Sequence, residues 1–197
     1  MKPLFLGGHP ALDFLNTWLT PLGEPVELLG DGRSFIEWLV AAGLLEAATG
    51  ARLMRRRGSP GLDAVAAEAR NFREWLRAWM ARWREDRHGG DAPELRLLNG
   101  ILERAPILRR LVATTEGHEL VERCRIDAAD QLLGLVALQV ARLVAGEEPT
   151  RVKRCEGSDC SLWFLDRTKA RRRMFCSATA CGNRAKVAAF RERQRRH

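Results

Sequence analysis

Of the five cysteines in this 197-residue chain, four form two matched pairs. Four residues separate Cys155 from Cys160, four separate Cys176 from Cys181, and fifteen lie between the pairs. That pattern is metal chemistry. Zinc takes four tetrahedral ligands, thiolates at roughly 2.3 Å, and two short chelating turns joined by a hairpin bring four corners together. Four thiolates leave no open coordination position, so the ion is structural and does not activate water. The two-residue gap of dithiol redox chemistry is missing. Cys124 lies outside the set and reads as a core thiol. Thiols used this way fit a reduced, cytoplasmic setting better than a disulfide framework does.

Around the cysteines the chain is strongly basic. Residues 150–197 carry 14 Lys and Arg against 4 Asp and Glu, a net charge of +10, whereas the preceding 149 residues carry 19 against 21. Arg167, Lys169, Arg171, Arg172 and Arg173 crowd the segment between the pairs; Arg184, Lys186, Arg191, Arg193, Arg195 and Arg196 follow the last cysteine. Two basic surfaces held by one ion make a phosphate clamp, since cations that neutralise phosphates release counterions. Arg184 has the bidentate fork that reads guanine, although a phosphate contact is the commoner use, and Asn183 suits a cap or a bond to the metal turn. Trp163 and Phe164 either stack on bases or form the small core under the metal. The terminal helix has only Val187 and Phe190 as large apolar groups, which suits packing on the module better than membrane insertion.

In the N-terminal part, His9, Asp13 and Asn16 are polar groups in an apolar run. With Trp18, and with Trp38 or Trp75, they are candidates for a ligand pocket; the bland alternative is that they satisfy turns. No triad, paired carboxylates or Gly-rich phosphate loop points to an enzyme.

The elements that must position these residues are mainly helical. Residues 1–30 mix apolar runs with Gly and Pro, and Leu12–Leu19 is open between strand and helical turn. Ser34-Phe-Ile-Glu37 reads as a capping box opening a helix to about Gly43. Leu62, Val65, Ala69, Phe72, Leu76, Trp79 and Trp83 recur at helical steps between Pro60 and Asp86, with Arg73, Arg77 and Arg84 expected outward. His88-Gly89-Gly90 stops that helix, and Pro93 opens a shorter one to about Ala105 with Leu95, Leu98 and Leu102 inward. Leu108–Thr115 and Glu119–Ile126 read as a hairpin around Glu116-Gly117-His118. Ala128–Ala145 is a second strong helix, and its most apolar stretch, Leu132 to Val144, contains Gln139 and Arg142 and is too short to span a bilayer. Gly146-Glu-Glu-Pro149 reads as its stop and a linker. The fold expected is mainly α with a small β hairpin: an α-rich domain over 1–149, then a zinc-stapled hairpin-plus-helix module over 150–197. Loss of a ligand is expected to unfold only that module.

Cys181-Gly182-Asn183-Arg184, preceded by a matched cysteine pair and Trp-Phe-Leu-Asp, resembles the CGNR zinc finger. Gly7-Gly-His-Pro-Ala-Leu-Asp-Phe-Leu-Asn-Thr17 is similar to the opening of the ABATE domain, which accompanies that finger in bacterial proteins regarded as stress-induced transcription regulators. The resemblance implies a DNA-binding finger on a domain that senses a small molecule or a partner, and supplies no catalytic residues. The function expected is zinc-dependent DNA-binding transcription regulation. An RNA-binding module and a zinc-stapled protein-interaction module stand as alternatives, and a second copy of the chain is a further candidate partner.

Overall fold

The computed structural model describes residues 3–20, 23–55, 61–85 and 92–195. The expected stop at 88–90, and Arg196, lie outside these residues. Seven α-helices are described: α1 (Pro10–Leu15), α2 (Gly32–Ala41), α3 (Ala47–Arg55), α4 (Leu62–Glu85), α5 (Ala92–Leu102), α6 (Leu132–Gly146) and α7 (Asn183–Arg195). Three antiparallel strand pairs accompany them: β1 (Trp18–Leu19) with β2 (Val26–Glu27), β3 (Ile107–Thr114) with β4 (Gly117–Cys124), and β5 (Val152–Arg154) with β6 (Trp163–Leu165). The open segment resolves into both alternatives. Pro10 starts α1, His9 caps it by accepting from the Ala11 N–H at 3.2 Å, and the chain turns into β1 two residues after the helix ends.

The capping box at α2 lies three residues earlier than the sequence suggested. Asp31 is the cap: its carboxylate accepts from the Ser34 N–H at 2.8 Å, and the Ser34 hydroxyl accepts from the Asp31 N–H at 2.9 Å. Asp caps a helix as well as Ser does, and here Ser34 takes the reciprocal third place in the box, so Glu37 is left to a loose surface pair with Arg33 at 3.8 Å.

α4 supplies the spine of the core through Phe72, Leu76, Trp79 and Trp83, and α6 supplies its centre through Leu132, Leu133, Val136, Val140 and Leu143. Residues Ala129–Gly146 have the length and mean hydropathy (1.3) of a membrane span, but half of them are buried inside the protein. α6 lies so close to the end of α5 that a Cβ on Gly134 would meet the Ala105 Cβ at 2.4 Å. On α5, Leu98 is buried and Leu102 packs against the core, while Leu95 is exposed, contrary to expectation.

Arg73 also departs from expectation, being only 2% exposed. Its guanidinium grips both Glu27 carboxylate oxygens at 2.7 and 2.6 Å and donates to Thr17 Oγ1 at 3.0 Å. A buried arginine is tolerated when its donors meet a carboxylate in this forked geometry. Helical periodicity marked the face correctly but could not see Glu27 arriving from β2.

β5 and β6 are short; every residue of β6 is buried, whereas β5 buries only Val152. Trp163 and Leu165 point into the main core, beside residues of α1 and α4, and Phe164 between them points to the opposite side. There it meets Cys155, Leu162, Cys176 and Cys181 together with Leu19, and Leu6, Val26 and Leu28 border the cluster. The alternation of a strand thus sews two cores together. The segment treated as a linker is tied down as well, since Glu147 and Glu148 pair with Arg167 and Arg171.

Candidate metal centre and basic surface

The four sulfurs of Cys155, Cys160, Cys176 and Cys181 lie within 4.8 Å of one another. Cys160 to Cys176 is 3.8 Å and Cys176 to Cys181 is 3.6 Å. These are edges of a tetrahedron whose corners stand roughly 2.3 Å from a central ion. Four such sulfurs cannot all be thiolates without a cation. The Cys176 S–H held against Cys160 pulls the latter down to about 5 and pushes Cys176 far above its ordinary value. A dication removes the conflict, and an all-sulfur tetrahedral set suits zinc, one structural ion per chain.

Local chemistry places each pair. Cys155 follows β5 and donates its N–H to Leu162 O at 2.8 Å, while Cys160 closes a turn onto Gly157 O at 3.1 Å. A Cβ on Gly157 would stand 3.5 Å from the Cys181 sulfur, so the turn lies against the metal site. In the second pair, Ser177 caps a single π-helical turn, Ala178–Gly182, by accepting from the Ala180 N–H, and Cys181 sits in that turn at the foot of α7. A helix N-terminus favours thiolate. The Cys176 N–H donates to Cys155 Sγ at 3.3 Å and the Arg184 guanidinium to Cys181 Sγ at 3.0 Å, which partly offsets the excess negative charge of four thiolates on a dication.

The basic residues divide into two groups. Arg171 forks onto Glu148 at 2.5 and 2.8 Å from a left-handed backbone (φ 52°), and Arg167 reaches Glu147 at 3.4 Å. Arg173 donates to Phe175 O at 2.9 Å and to Cys176 O, with its guanidinium 4.4 Å over the Phe164 ring. With Arg184 on Cys181, these four are committed within the protein, Arg167 and Arg171 to the segment that precedes the module and Arg173 and Arg184 to the module itself. Lys169, Arg172, Lys186 and Arg191 are exposed and have no acidic partner among the described residues; Arg193 and Arg195 extend that set along α7. Val187 and Phe190 are exposed as well, so they do not pack on the module as expected. Asn183 opens α7, donating its backbone N–H to Ala178 O.

Sequence reasoning gave no role to Asp166 and Lys153, which fix the loop between the pairs. Burial would push the Asp166 carboxyl up, but Lys153 Nζ at 2.7 Å, the Thr168 hydroxyl at 2.6 Å and the Arg173 N–H at 3.0 Å hold it well below the usual range. Lys153 also caps Arg171 O at 2.6 Å. The available signal was a carboxylate ending the apolar Trp163–Leu165 run.

The residues read as a ligand pocket serve a seam. Asn16 imitates a strand: its Nδ2 donates to Trp163 O at 2.9 Å and its Oδ1 accepts from Trp163 N–H at 2.8 Å. Asp13 accepts from the Gly7 N–H at 2.7 Å, and Gly7 O accepts from Leu165 N–H at 2.8 Å. His9 caps α1, and Trp18 lies 5.5 Å under the Arg77 guanidinium. Trp38 is buried against Phe14, and Trp75 stacks on Phe72. The Asn16 amide, Asp13 Oδ1 and His9 Nδ1 are thus spent on backbone. A cavity of about 660 Å³ opens elsewhere, between the α2–α3 turn, the base of β4 and α6, lined by Leu44, Cys124, Leu138 and Arg142 among others. Cys124 is half-buried there, its thiol pushed up by burial and outside the metal cluster.

Taken together, these features define a helical domain stapled to a four-cysteine zinc module. Residues 8–147 match the ABATE family, described as "Putative stress-induced transcription regulator", and residues 151–194 match the CGNR zinc finger. The chain belongs to the ABATE family and carries a CGNR zinc finger after that domain. No curated protein matches it.

Proposed function

We propose that this chain is a zinc-dependent DNA-binding transcription regulator in which the finger contacts duplex phosphates and the ABATE domain carries the response to stress or to an effector. The observation that carries the reading is the uncompensated cationic surface: Lys169, Arg172, Lys186 and Arg191 are exposed without acidic partners among the described residues, on a scaffold fixed by zinc at the foot of α7. Phosphate oxygens are the ligands such a surface attracts. The single-strand RNA alternative loses its main support, because Trp163 and Phe164 are 1% and 0% exposed and offer no stacking platform.

The test is anisotropy of the zinc-loaded chain on a labelled random-sequence duplex, titrated with salt. With roughly four to seven phosphates neutralised, log affinity against log salt should fall with a slope of about −4 to −6. Replacing Lys169, Arg172, Lys186 and Arg191 by Gln should flatten that slope by about 3 to 4 if all four make phosphate contacts, whereas Arg171→Gln should leave it nearly unchanged because Glu148 already holds that side chain. A slope near zero would send the reading to an acidic protein partner, and preference for RNA of equal length would send it to RNA.

A further inference from the structure

We propose that the β3–β4 hairpin joins two copies of this chain through the face bearing Leu111 and Leu120. A two-stranded ribbon alone is marginally stable in water, and its outer edges present unpaired backbone groups. This ribbon nevertheless has eight-residue strands, with Leu111 70% and Leu120 60% exposed. Apolar groups so placed on a regular sheet mark an interface.

The pairing register says what covers them. Residues directly opposite one another share a face. One face therefore carries four rows: Ile107 with Cys124, Arg109 with Glu122, Leu111 with Leu120, and Ala113 with His118. The other carries Leu108 with Arg123, Arg110 with Val121, and Val112 with Glu119. Arg123 on that second face is bonded to Glu46 of the body, and Leu108 and Val112, at 40% and 36%, are less exposed than the leucines of the first. Toward the turn the first face is thus the more open of the two, while its base row lies on the body, with Ile107 at 43% and Cys124 packed against the helical core.

The open face is its own complement. A two-fold axis parallel to the strands sets each β3 residue over its row-mate in the second copy, so Leu111 meets Leu120, Arg109 meets Glu122, and Glu122 meets Arg109. An isologous contact requires this reciprocity. Within one chain Arg109 and Glu122 are already 2.7 Å apart, and the second copy closes them into a four-charge ring around apolar rows. The same rotation applied to the second face would set Arg123 on Leu108 and Glu119 on Val112, which charges disfavour. A face at most roughly 27 Å long and two strands wide falls below the ~1,200–2,000 Å² that stable specific interfaces bury, so the dimer should be weak, transient and concentration-dependent.

Sedimentation of the full zinc-loaded chain over a wide concentration range tests this. The wild type should pass from monomer to dimer, and Leu111→Glu should weaken the dimer by at least about a hundredfold. The decisive arm uses Arg109→Glu and Glu122→Arg, whose rows become all acidic and all basic. Each alone should be monomeric where the wild type dimerises, and an equimolar mixture should form the heterodimer, which no bond within one chain can explain. Zinc content and helical circular dichroism verify folding of each variant. A wild type that stays monomeric throughout, or a mixture that does not associate, would overturn the proposal.

Discussion

The ribbons β3–β4 and β5–β6 are both antiparallel pairs, yet they are held in opposite ways. The first has two eight-residue strands and buries almost nothing; the second has two three-residue strands, and every residue of β6 is buried. Length and alternation are therefore poor guides to what anchors this molecule. β6 is short because its flanks do the holding: Trp163 and Leu165 enter the helical core, Phe164 enters the zinc core, and Asn16 bonds the Trp163 backbone on its free edge. β3–β4 has its cross-strand register and a turn, with only its base on the body.

Zinc removal should give the largest effect and test whether β5–β6 is truly continuous with the helices. Structural zinc in small modules is worth about 10–16 kcal/mol at neutral pH. In Cys181→Ser, metal analysis should show the single equivalent lost or greatly reduced. The sequence alone suggested that residues 1–149 would then survive untouched. The shared packing of Leu19, Val26 and Leu28 with the cysteine cluster, and of Trp163 with α4, changes that expectation: hydrogen exchange in α1 and α4 should accelerate as well. If exchange there stays at its wild-type rate, the finger is an independent unit and the comparison fails.

Matched substitutions in the two ribbons should come next in size. Trp163→Ala should cost about 3–5 kcal/mol in urea unfolding of dilute protein, because it empties a fully buried indole site flanked by the Arg84 and Arg154 guanidiniums. Leu120→Ala should cost within about 0.5 kcal/mol under the same conditions, as it removes a side chain already in water. Similar costs for the two would mean that the hairpin is buried in solution even at low concentration.

How much of this was legible depended on sequence distance. The zinc ligands were readable because each pair is chelated by one short turn, so spacing is geometry. α4 was readable because its periodicity is local. The hairpin was found, but its turn falls on Thr115 and Glu116, starting one residue before the place expected, since Gly117 takes its left-handed φ of 137° as the first residue of β4. What spacing hides is long-range. It points Arg73 outward because Glu27 lies 46 residues away, it leaves Asn16 open between a pocket and a turn because Trp163 lies 147 away, and it offers Arg171 to phosphate without showing that its loop folds back on Glu148. In each case a polar group had a partner that spacing cannot reveal.

The smallest expected effect sharpens the contrast at the seam itself. Asp13 sits in α1 beside β6, and burial raises its carboxyl to about 6, opposed by the hydrogen bond from Gly7. The folded pKa is thus above the unfolded value of 3.8, so between the two the folded chain keeps a proton that the unfolded chain has released. The resulting stability is full below the unfolded pKa and is lost as pH rises through about 6. Solvent reaches part of this group, so the loss should be about 1 kcal/mol and not the full linkage value. Asp13→Asn keeps the acceptor for Gly7 but cannot titrate. The variant should therefore melt at a nearly constant temperature between about pH 4.5 and about pH 7.5 where the wild type declines, apart from the slope contributed by other carboxylates. An identical pH slope in both proteins would show that the α1–β6 seam is wet and that β6 is less enclosed than its neighbours imply.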